Sequence, residues 1–131
     1  MWVYTHDPKE CSSLVLAYIG DAVFELYVRM YLVAKGGVKV HNLNQDAANL
    51  VRASSQADFL RRLEPVLSEE EKDIARRGRN AKSGTVPKNA DLQQYRIATG
   101  FEALIGYLFL DKQEERLQYL LEYLFTEENK E

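Results

Sequence analysis

Residues 14–34 read LVLAYIGDAVFELYVRMYLVA, and their pattern is the strongest indication of the fold. Seventeen of its 21 residues are apolar, and its three charges, Asp21, Glu25 and Arg29, recur every four residues. That spacing places the charges on one face of a helix. A helix that is apolar around the rest of its circumference is typical of a domain centre or of a surface shared with a partner chain. Each charge costs about 2.5–3.5 kcal/mol at a bilayer centre, so we do not expect a membrane span.

A second apolar stretch, residues 97–110, has the same character, and its only charge is Glu102. Gly20 directly precedes Asp21 in the first stretch, and Gly106 follows Glu102 by one helical turn. Because glycine has no side chain, another helix or a ligand can approach closely at both positions. The two stretches therefore predict central helices, each with a glycine beside an isolated carboxylate.

The rest of the chain predicts further helices and no strands, which indicates an all-α fold. Gly36 and Gly37 end the first helix, and Pro65 ends a later one. Ser68 and Glu71 have capping-box spacing, which predicts the start of another helix. Helical patterns cover residues 12–34, 42 or 44 to 51, 56–63 after a break at 54–55, 69–79, 89 or 91 to 110, and 113–126. With 131 residues, one cysteine and short connections, we expect a single domain over residues 1–131 with its core over 12–126.

The charge of the chain is unevenly distributed. Seventeen Lys and Arg against 20 Asp and Glu give a net charge of −3, which alone argues against a uniformly basic nucleic-acid binder. Residues 76–96 nevertheless carry +5, and residues 111–131 carry −4. The basic segment is either a solvated loop or a surface that meets phosphate groups. Its six cations are Arg76, Arg77, Arg79, Lys82, Lys88 and Arg96.

The carboxylates inside the apolar helices allow two interpretations, because a buried carboxylate must be paired, protonated or bound to a metal. In the first, Asp21 or Glu25 forms a structural ion pair with Arg29. Glu102 then pairs with Arg96. In the second, Asp21 and Glu102 meet across two helices and hold a divalent cation. All-oxygen ligands favour Mg²⁺ or Mn²⁺ over zinc, and such a cation near a basic segment indicates phosphoryl chemistry.

Two motifs of the chain resemble those of the ribonuclease III domain family. Residues 16–26, LAYIGDAVFEL, are similar to the run Leu-Glu-Phe-Leu-Gly-Asp-Ala/Ser that opens the family's catalytic helix. Residues 101–111, FEALIGYLFLD, resemble its second acidic motif, of the form Phe-Glu-Ala-Leu-Ile-Gly-Ala. The resemblance covers roughly residues 14–124. Residues 76–82, RRGRNAK, and 95–100, YRIATG, look like the short form of the family, Mini-ribonuclease III.

The resemblance implies a homodimeric, metal-dependent endoribonuclease that cleaves double-stranded RNA without a separate RNA-binding domain. Asp21 and Glu102 take the places of two family carboxylates and would bind Mg²⁺, for which Mn²⁺ can substitute. Two further family carboxylates are replaced here by Ala17 and Thr99, so the chain offers the cation fewer protein oxygens. Glu25 is expected to be a structural or interface partner. The six cations of residues 76–96 would bind the RNA.

The resemblance also implies a cellular role, since the short form is tied to maturation of the large-subunit (23S) ribosomal RNA precursor, with a ribosomal protein as a possible helper. Residues 1–8 contain no basic leader followed by an apolar stretch, so we expect a cytoplasmic protein. Two alternatives stay open. The chain can be a catalytically inactive RNA-binding module of the same fold, or a helical protein-interaction domain that uses its apolar helices.

Overall fold

The residues that the structure describes form six α-helices and two short 3₁₀ helices, the latter at Pro8–Glu10 and Glu64–Val66. The computed structural model describes residues 2–82 and 86–129, with side chains as far as residue 126. Within these residues there is no strand, which confirms the all-α prediction. The α-helices are α1 (Ser13–Ala34), α2 (Val40–Val51), α3 (Ala53–Leu63), α4 (Glu69–Asn80), α5 (Leu92–Leu110) and α6 (Glu114–Asn129).

Local capping signals set the starts of α4 and α5 and the end of α1. Ser68 Oγ accepts from the Glu71 amide at 3.1 Å, and the Glu71 carboxylate accepts from the Ser68 amide at 2.8 Å, so the predicted capping box is present. Asp91 caps α5 by accepting from the Gln94 amide at 3.1 Å. At Gly36 the backbone has a φ of +102°, which ends α1 as predicted.

The break between α2 and α3 lies earlier than the predicted position at residues 54–55. Arg52 is extended, with φ −67° and ψ 157°, and it is both the C-cap of α2 and the N-cap of α3. Ser55 is already helical, and its hydroxyl donates to the Asn49 carbonyl at 2.7 Å. The serine therefore satisfies an unused carbonyl at the end of α2 instead of breaking the helix.

Helix α5 lies at the centre of the molecule, where it packs against α1, α3, α4 and α6. Eleven of its 19 residues are buried. Phe24 of α1, Phe59 of α3 and Phe101 of α5 form an aromatic cluster between these three helices, with ring centroids 4.9–6.0 Å apart. This cluster anchors α1 and α3 on either side of the central helix.

Helix α6 is tied to the start of α4 by a buried ion pair. Arg116 donates to both Glu71 oxygens at 2.8 Å and to the Val66 carbonyl at 2.7 Å. Burial alone would raise the pKa of Glu71, but the Arg116 guanidinium and the Ser68 amide hold that pKa below its usual value. Glu71, which completes the capping box of α4, thus also holds α6 in place.

Helix α1 is buried on one side only. Its other side carries a row of exposed apolar residues at helical spacing, which we call the α1 stripe. No helix among the described residues is long and apolar enough to cross a membrane. The α1 stripe consists of Val15, Tyr18, Leu26, Met30 and Val33, which are 48–78% exposed.

Candidate active site

Two glycines place α1 against α5 at backbone contact. A Cβ atom on Gly20 would lie 1.7 Å from the Glu102 carbonyl oxygen, and one on Gly106 would lie 1.9 Å from the Leu16 carbonyl oxygen. Of the two partners expected to approach Gly20 and Gly106, a helix or a ligand, the structure shows a helix at both glycines. Because Asp21 follows Gly20, the crossing brings its side chain beside that of Glu102.

The Asp21 and Glu102 carboxyl groups interact directly across this crossing. Burial raises the pKa of Glu102 to about 8, and a hydrogen bond to Asp21 and the charge of Asp21 add to the rise. At pH 7 Glu102 therefore largely keeps its proton. A divalent cation bound by both groups would replace that proton.

The alternative ion pairs are only partly present. Arg29 of α1 donates to Glu25 at 3.4 Å, as the structural interpretation of Glu25 predicts. Asp21 instead interacts with Glu102, and Arg96 is not among the groups that shift the Glu102 pKa. The structure thus brings together Asp21 and Glu102, the two carboxylates that the metal-site interpretation pairs.

The two positions where the family has further carboxylates supply no ligand here. Ala17 is buried and apolar, and the Thr99 hydroxyl donates to the Tyr95 carbonyl at 2.8 Å. Among the described residues, no group of three or more His, Cys, Asp or Glu side chains could hold a metal ion. A pair of carboxylate oxygens completed by water suits Mg²⁺, which usually keeps several of its waters, so the donor set fits that ion.

Gln56 of α3 is a site residue that the sequence reasoning missed. Its side chain is 2% exposed and faces the Glu102 carboxyl group, where it opposes part of the rise in the Glu102 pKa. Its Nε2 atom is buried and makes no hydrogen bond within the part of the chain that the structure describes. The only signal in the sequence is a polar residue at a position of α3 that shares a face with buried Phe59 and Leu60.

All six cations predicted to bind RNA are exposed, and four of them line two grooves. Arg76 and Arg79 of α4 line a groove of about 210 Å³. Lys82 and Arg96 line a second groove of about 280 Å³ between α4 and α5. Thr99, one turn before Glu102, forms part of the wall of this second groove. The basic surface thus extends along α5 towards the carboxylate pair.

The other two cations are placed differently. Arg77 donates to the Lys9 carbonyl at 3.0 Å and lies 4.0 Å from Asp73, which turns it towards the start of the chain. Asp73 also accepts from Arg76 at 2.5 Å, so an anion just outside the segment offsets part of its charge. Lys88 is exposed in the turn before α5. Residues 83–85 of the predicted basic loop lie outside the described residues.

Asp21 and Glu102 at the α1–α5 crossing can hold a cation, and exposed basic side chains of α4, of the residues after it and of α5 can meet a phosphate backbone, a combination that suits a nuclease. Residues 14–113 match the Ribonuclease III domain, and the chain belongs to that family. Its members are divalent-metal-dependent endoribonucleases of double-stranded RNA. This chain is accordingly an endoribonuclease of that class.

Individual relatives extend the match over most of the chain. A protein of Thermoanaerobacter sp. (strain X514) named Mini-ribonuclease 3 is 53% identical over 111 residues, 85% of this chain and 78% of the relative. A Mini-ribonuclease 3 of Brevibacillus brevis is 50% identical, over 93% of this chain and 91% of that protein. A crystal structure of a Fusobacterium nucleatum protein has a TM-score of 0.83 at 32% identity, covering 95% of this chain and 99% of that one. The resemblance to the short ribonuclease III form is therefore confirmed.

Proposed function

We propose that this chain cleaves double-stranded RNA as a homodimer with Mg²⁺ held by Asp21 and Glu102, and that its substrate is the 23S ribosomal RNA precursor in the cytoplasm. The contact between these two carboxyl groups at the α1–α5 crossing carries the proposal. Two acidic side chains are costly to bring together, and a divalent cation removes that cost. Mn²⁺ has the same preference for oxygen ligands and can take its place.

The two carboxylates have different tasks at the site. Glu102 is partly buried in the helix crossing and must release its proton before a cation binds. Asp21 is exposed, so it faces the solvent from which an RNA phosphate approaches. When bound, Mg²⁺ would supply Lewis-acid charge for the scissile phosphate and lower the pKa of the attacking water. The rigid α1–α5 crossing holds both carboxylates in position for this step.

The six exposed cations would bind the duplex through its phosphates. An A-form helix is recognised mainly by shape and by contacts to phosphates and 2′-hydroxyl groups, with few contacts to the bases. Arg76 and Arg79 in one groove and Lys82 and Arg96 in the other would follow the backbone, with Lys88 and Arg77 at the edges. We expect binding to weaken steeply with salt, because each neutralised phosphate releases counterions.

The α1 stripe supports the homodimer. It exposes large apolar side chains in one row, which is typical of a surface that a partner covers. Asp21 lies on the same helix at the edge of this row, so a second copy seated there would bring two carboxylate pairs near one groove. Each pair would then cut one strand of the duplex.

The metal site can be tested with Asp21→Asn and Glu102→Gln, with Glu25→Gln as the matched control on α1. Cleavage of a duplex RNA in Mg²⁺ should fall at least about a thousandfold in the first two variants, because each loses a negatively charged ligand. Glu25→Gln removes only an exposed ion pair and should retain wild-type activity. Wild-type rates in either site variant would refute the assignment.

The ribosomal RNA substrate needs a separate experiment. Transcripts of the 23S precursor stem and of an unrelated duplex of equal length are compared, each with and without large-subunit ribosomal proteins. We expect a single cleavage site in the precursor and faster cleavage when a helper protein presents the stem. Equal, scattered cleavage of both RNAs under all conditions would contradict the specific substrate while leaving the nuclease activity intact.

Ala17 and Thr99 support one competing function, an RNA-binding module that does not cut. With only two carboxylates, the site offers a cation few protein ligands. Incubation of the wild type with duplex RNA in Mg²⁺ and then in EDTA separates the two possibilities. Products that form only with the metal exclude the inactive module, and salt-sensitive binding without products supports it.

A further inference from the structure

We propose that Gln56 is a positioning residue for Glu102: its Nε2–H donates to the Glu102 carboxylate oxygen that a bound cation leaves free. This inference rests on the proposed cation site at Asp21 and Glu102. It assigns to α3 a role in a site that otherwise comes from α1 and α5 alone.

Burial is the first observation behind this assignment. Gln56 is 2% exposed, and its neighbours on α3, Ala57 and Phe59, are also buried. Of the other polar side chains in this part of α3, Ser54, Asp58 and Arg61 are exposed, and Ser55 is half-buried with its hydroxyl bonded to the Asn49 carbonyl. An apolar side chain of similar size would fill the position without the cost of burying an amide. The fold of α3 therefore gives no reason for a glutamine here.

The hydrogen bonding of Gln56 is the second observation. Its Nε2 atom has no partner among the described residues although it is shielded from water. A buried donor without a partner is unfavourable, and native structures rarely retain one without a purpose. The Gln56 side chain lies close enough to the Glu102 carboxyl group to lower the pKa of that group, as a hydrogen-bond donor does. The unused donor thus faces a carboxyl group whose oxygens become stronger acceptors when it loses its proton to bind a cation.

The chemistry of carboxylate ligands connects the two observations. A carboxylate that binds a cation through one oxygen has its orientation set by hydrogen bonds to the other oxygen. Asp21 approaches Glu102 from α1, and Gln56 approaches it from α3, so the two contacts come from different helices. Gln56 would hold Glu102 in the orientation that binds the cation, without touching cation or RNA itself.

The test uses Gln56→Met, which keeps the volume and removes the donor, with Gln45→Met on the exposed face of α2 as the matched control. Mn²⁺ binding to the full chain is measured by electron paramagnetic resonance without RNA, and melting temperatures are recorded without metal. We expect Mn²⁺ to bind about 10-fold more weakly to Gln56→Met, as for other residues that orient a ligand. Its melting temperature should equal or exceed that of the wild type, because an unpaired buried amide is removed. At saturating Mn²⁺ the cleavage rate should return to within about threefold of wild type.

The outcomes separate this inference from the proposed function. Unchanged Mn²⁺ affinity in Gln56→Met, with binding lost in Asp21→Asn, would overturn the role of Gln56 and leave the metal site standing. Mn²⁺ binding that survives in Asp21→Asn would refute the metal site and this inference together. If both Gln56→Met and Gln56→Leu melt far below the wild type, Gln56 serves the fold and the inference also fails.

Discussion

Helices α1 and α5 have nearly the same apolar composition but opposite surroundings. Most of α5 is enclosed by four other helices, whereas α1 buries one side and exposes the α1 stripe on the other. Periodicity alone cannot separate the two cases, because an apolar circumference is equally typical of a central helix and of one shared between chains. It follows that α5 stabilises the single chain, whereas α1 leaves apolar surface exposed.

The surroundings of the two helices are alike only where the helices cross. There, each contributes a glycine and a carboxylate, and the fold depends on the glycines while the proposed chemistry depends on the carboxylates. Substitutions at the crossing should therefore damage stability and activity together. Substitutions on the outer face of α1 should separate the two.

The largest effect is expected from Gly20→Ala. The new methyl group would lie 1.7 Å from the Glu102 carbonyl oxygen, which is rigid backbone, so α1 and α5 must move apart. We expect the free energy of unfolding to fall by at least about 4 kcal/mol and nuclease activity to be lost. Urea unfolding followed by circular dichroism measures the first quantity.

Gly36→Ala is the control for this prediction. No atom lies within 4 Å of the added carbon, so only its φ of +102° opposes the substitution, at a cost of about 1–3 kcal/mol. Equal costs for Gly20→Ala and Gly36→Ala would show that backbone contact at the crossing is unimportant.

The second prediction concerns the α1 stripe. Leu26→Lys combined with Met30→Lys places two charges on the surface proposed for the second copy, and we expect the dimer dissociation constant to rise at least 100-fold, about 2.7 kcal/mol. Sedimentation velocity measures the shift, and Val38→Lys, exposed outside the stripe, is the control. Leu104→Ala on α5 should instead affect the single chain, by lowering its free energy of unfolding by about 2–5 kcal/mol. A double-lysine variant that stays dimeric would place the interface elsewhere.

The third prediction concerns the proton held at the crossing. In the folded chain the pKa of Glu102 is about 8 instead of 4.5, so between these values the folded form holds a proton that the unfolded chain has released. Stability is therefore greatest below pH 4.5 as far as this group is concerned, and it is lost as pH rises to 8.

Glu102→Gln removes this dependence, because its amide does not ionise. In EDTA, the wild type should lose about 2–3 kcal/mol more stability than the variant between pH 5 and 8.5, less than the full shift because the group is partly hydrated. Urea titrations at both pH values give the difference. Parallel pH profiles for the two proteins would mean that Glu102 is ionised throughout.

Some of the features behind these predictions can be recognised in the sequence, and others cannot. The capping residues Ser68 and Asp91 and the close approach at Gly20 follow from local spacing, and the structure bears them out. The second close approach on α5 was missed: a Cβ on Gly100 would lie 2.6 Å from the Ala75 carbonyl oxygen of α4. Which surfaces of α5 meet α1 and which meet α4 depends on contacts between distant parts of the chain.

The candidate site shows the same division. Asp21 and Glu102 are recognisable because a charge in an apolar helix is unusual, and their roles as metal ligands stay a prediction. Gln56 is not recognisable in this way, since a single glutamine in an amphipathic helix carries no signal until its burial is known. The net charge of +5 over residues 76–96 holds, but Asp73, just before that segment, pairs with Arg76 and Arg77, and no count over the segment shows this.

The smallest expected effect is on duplex RNA binding, when the arginines of the two helices are replaced one at a time. Among the residues that the structure describes, Arg96 of α5 has no carboxylate partner and lines the groove beside Lys82, whereas Arg29 of α1 is paired with Glu25. Arg96→Gln should weaken duplex RNA binding about threefold and lower the magnitude of the salt dependence, d log K/d log[salt], by about 1, because one phosphate contact is lost. Arg29→Gln should change neither quantity. Fluorescence anisotropy in EDTA between 50 and 200 mM salt measures both, and a larger loss with Arg29→Gln would move the RNA surface from α5 to α1.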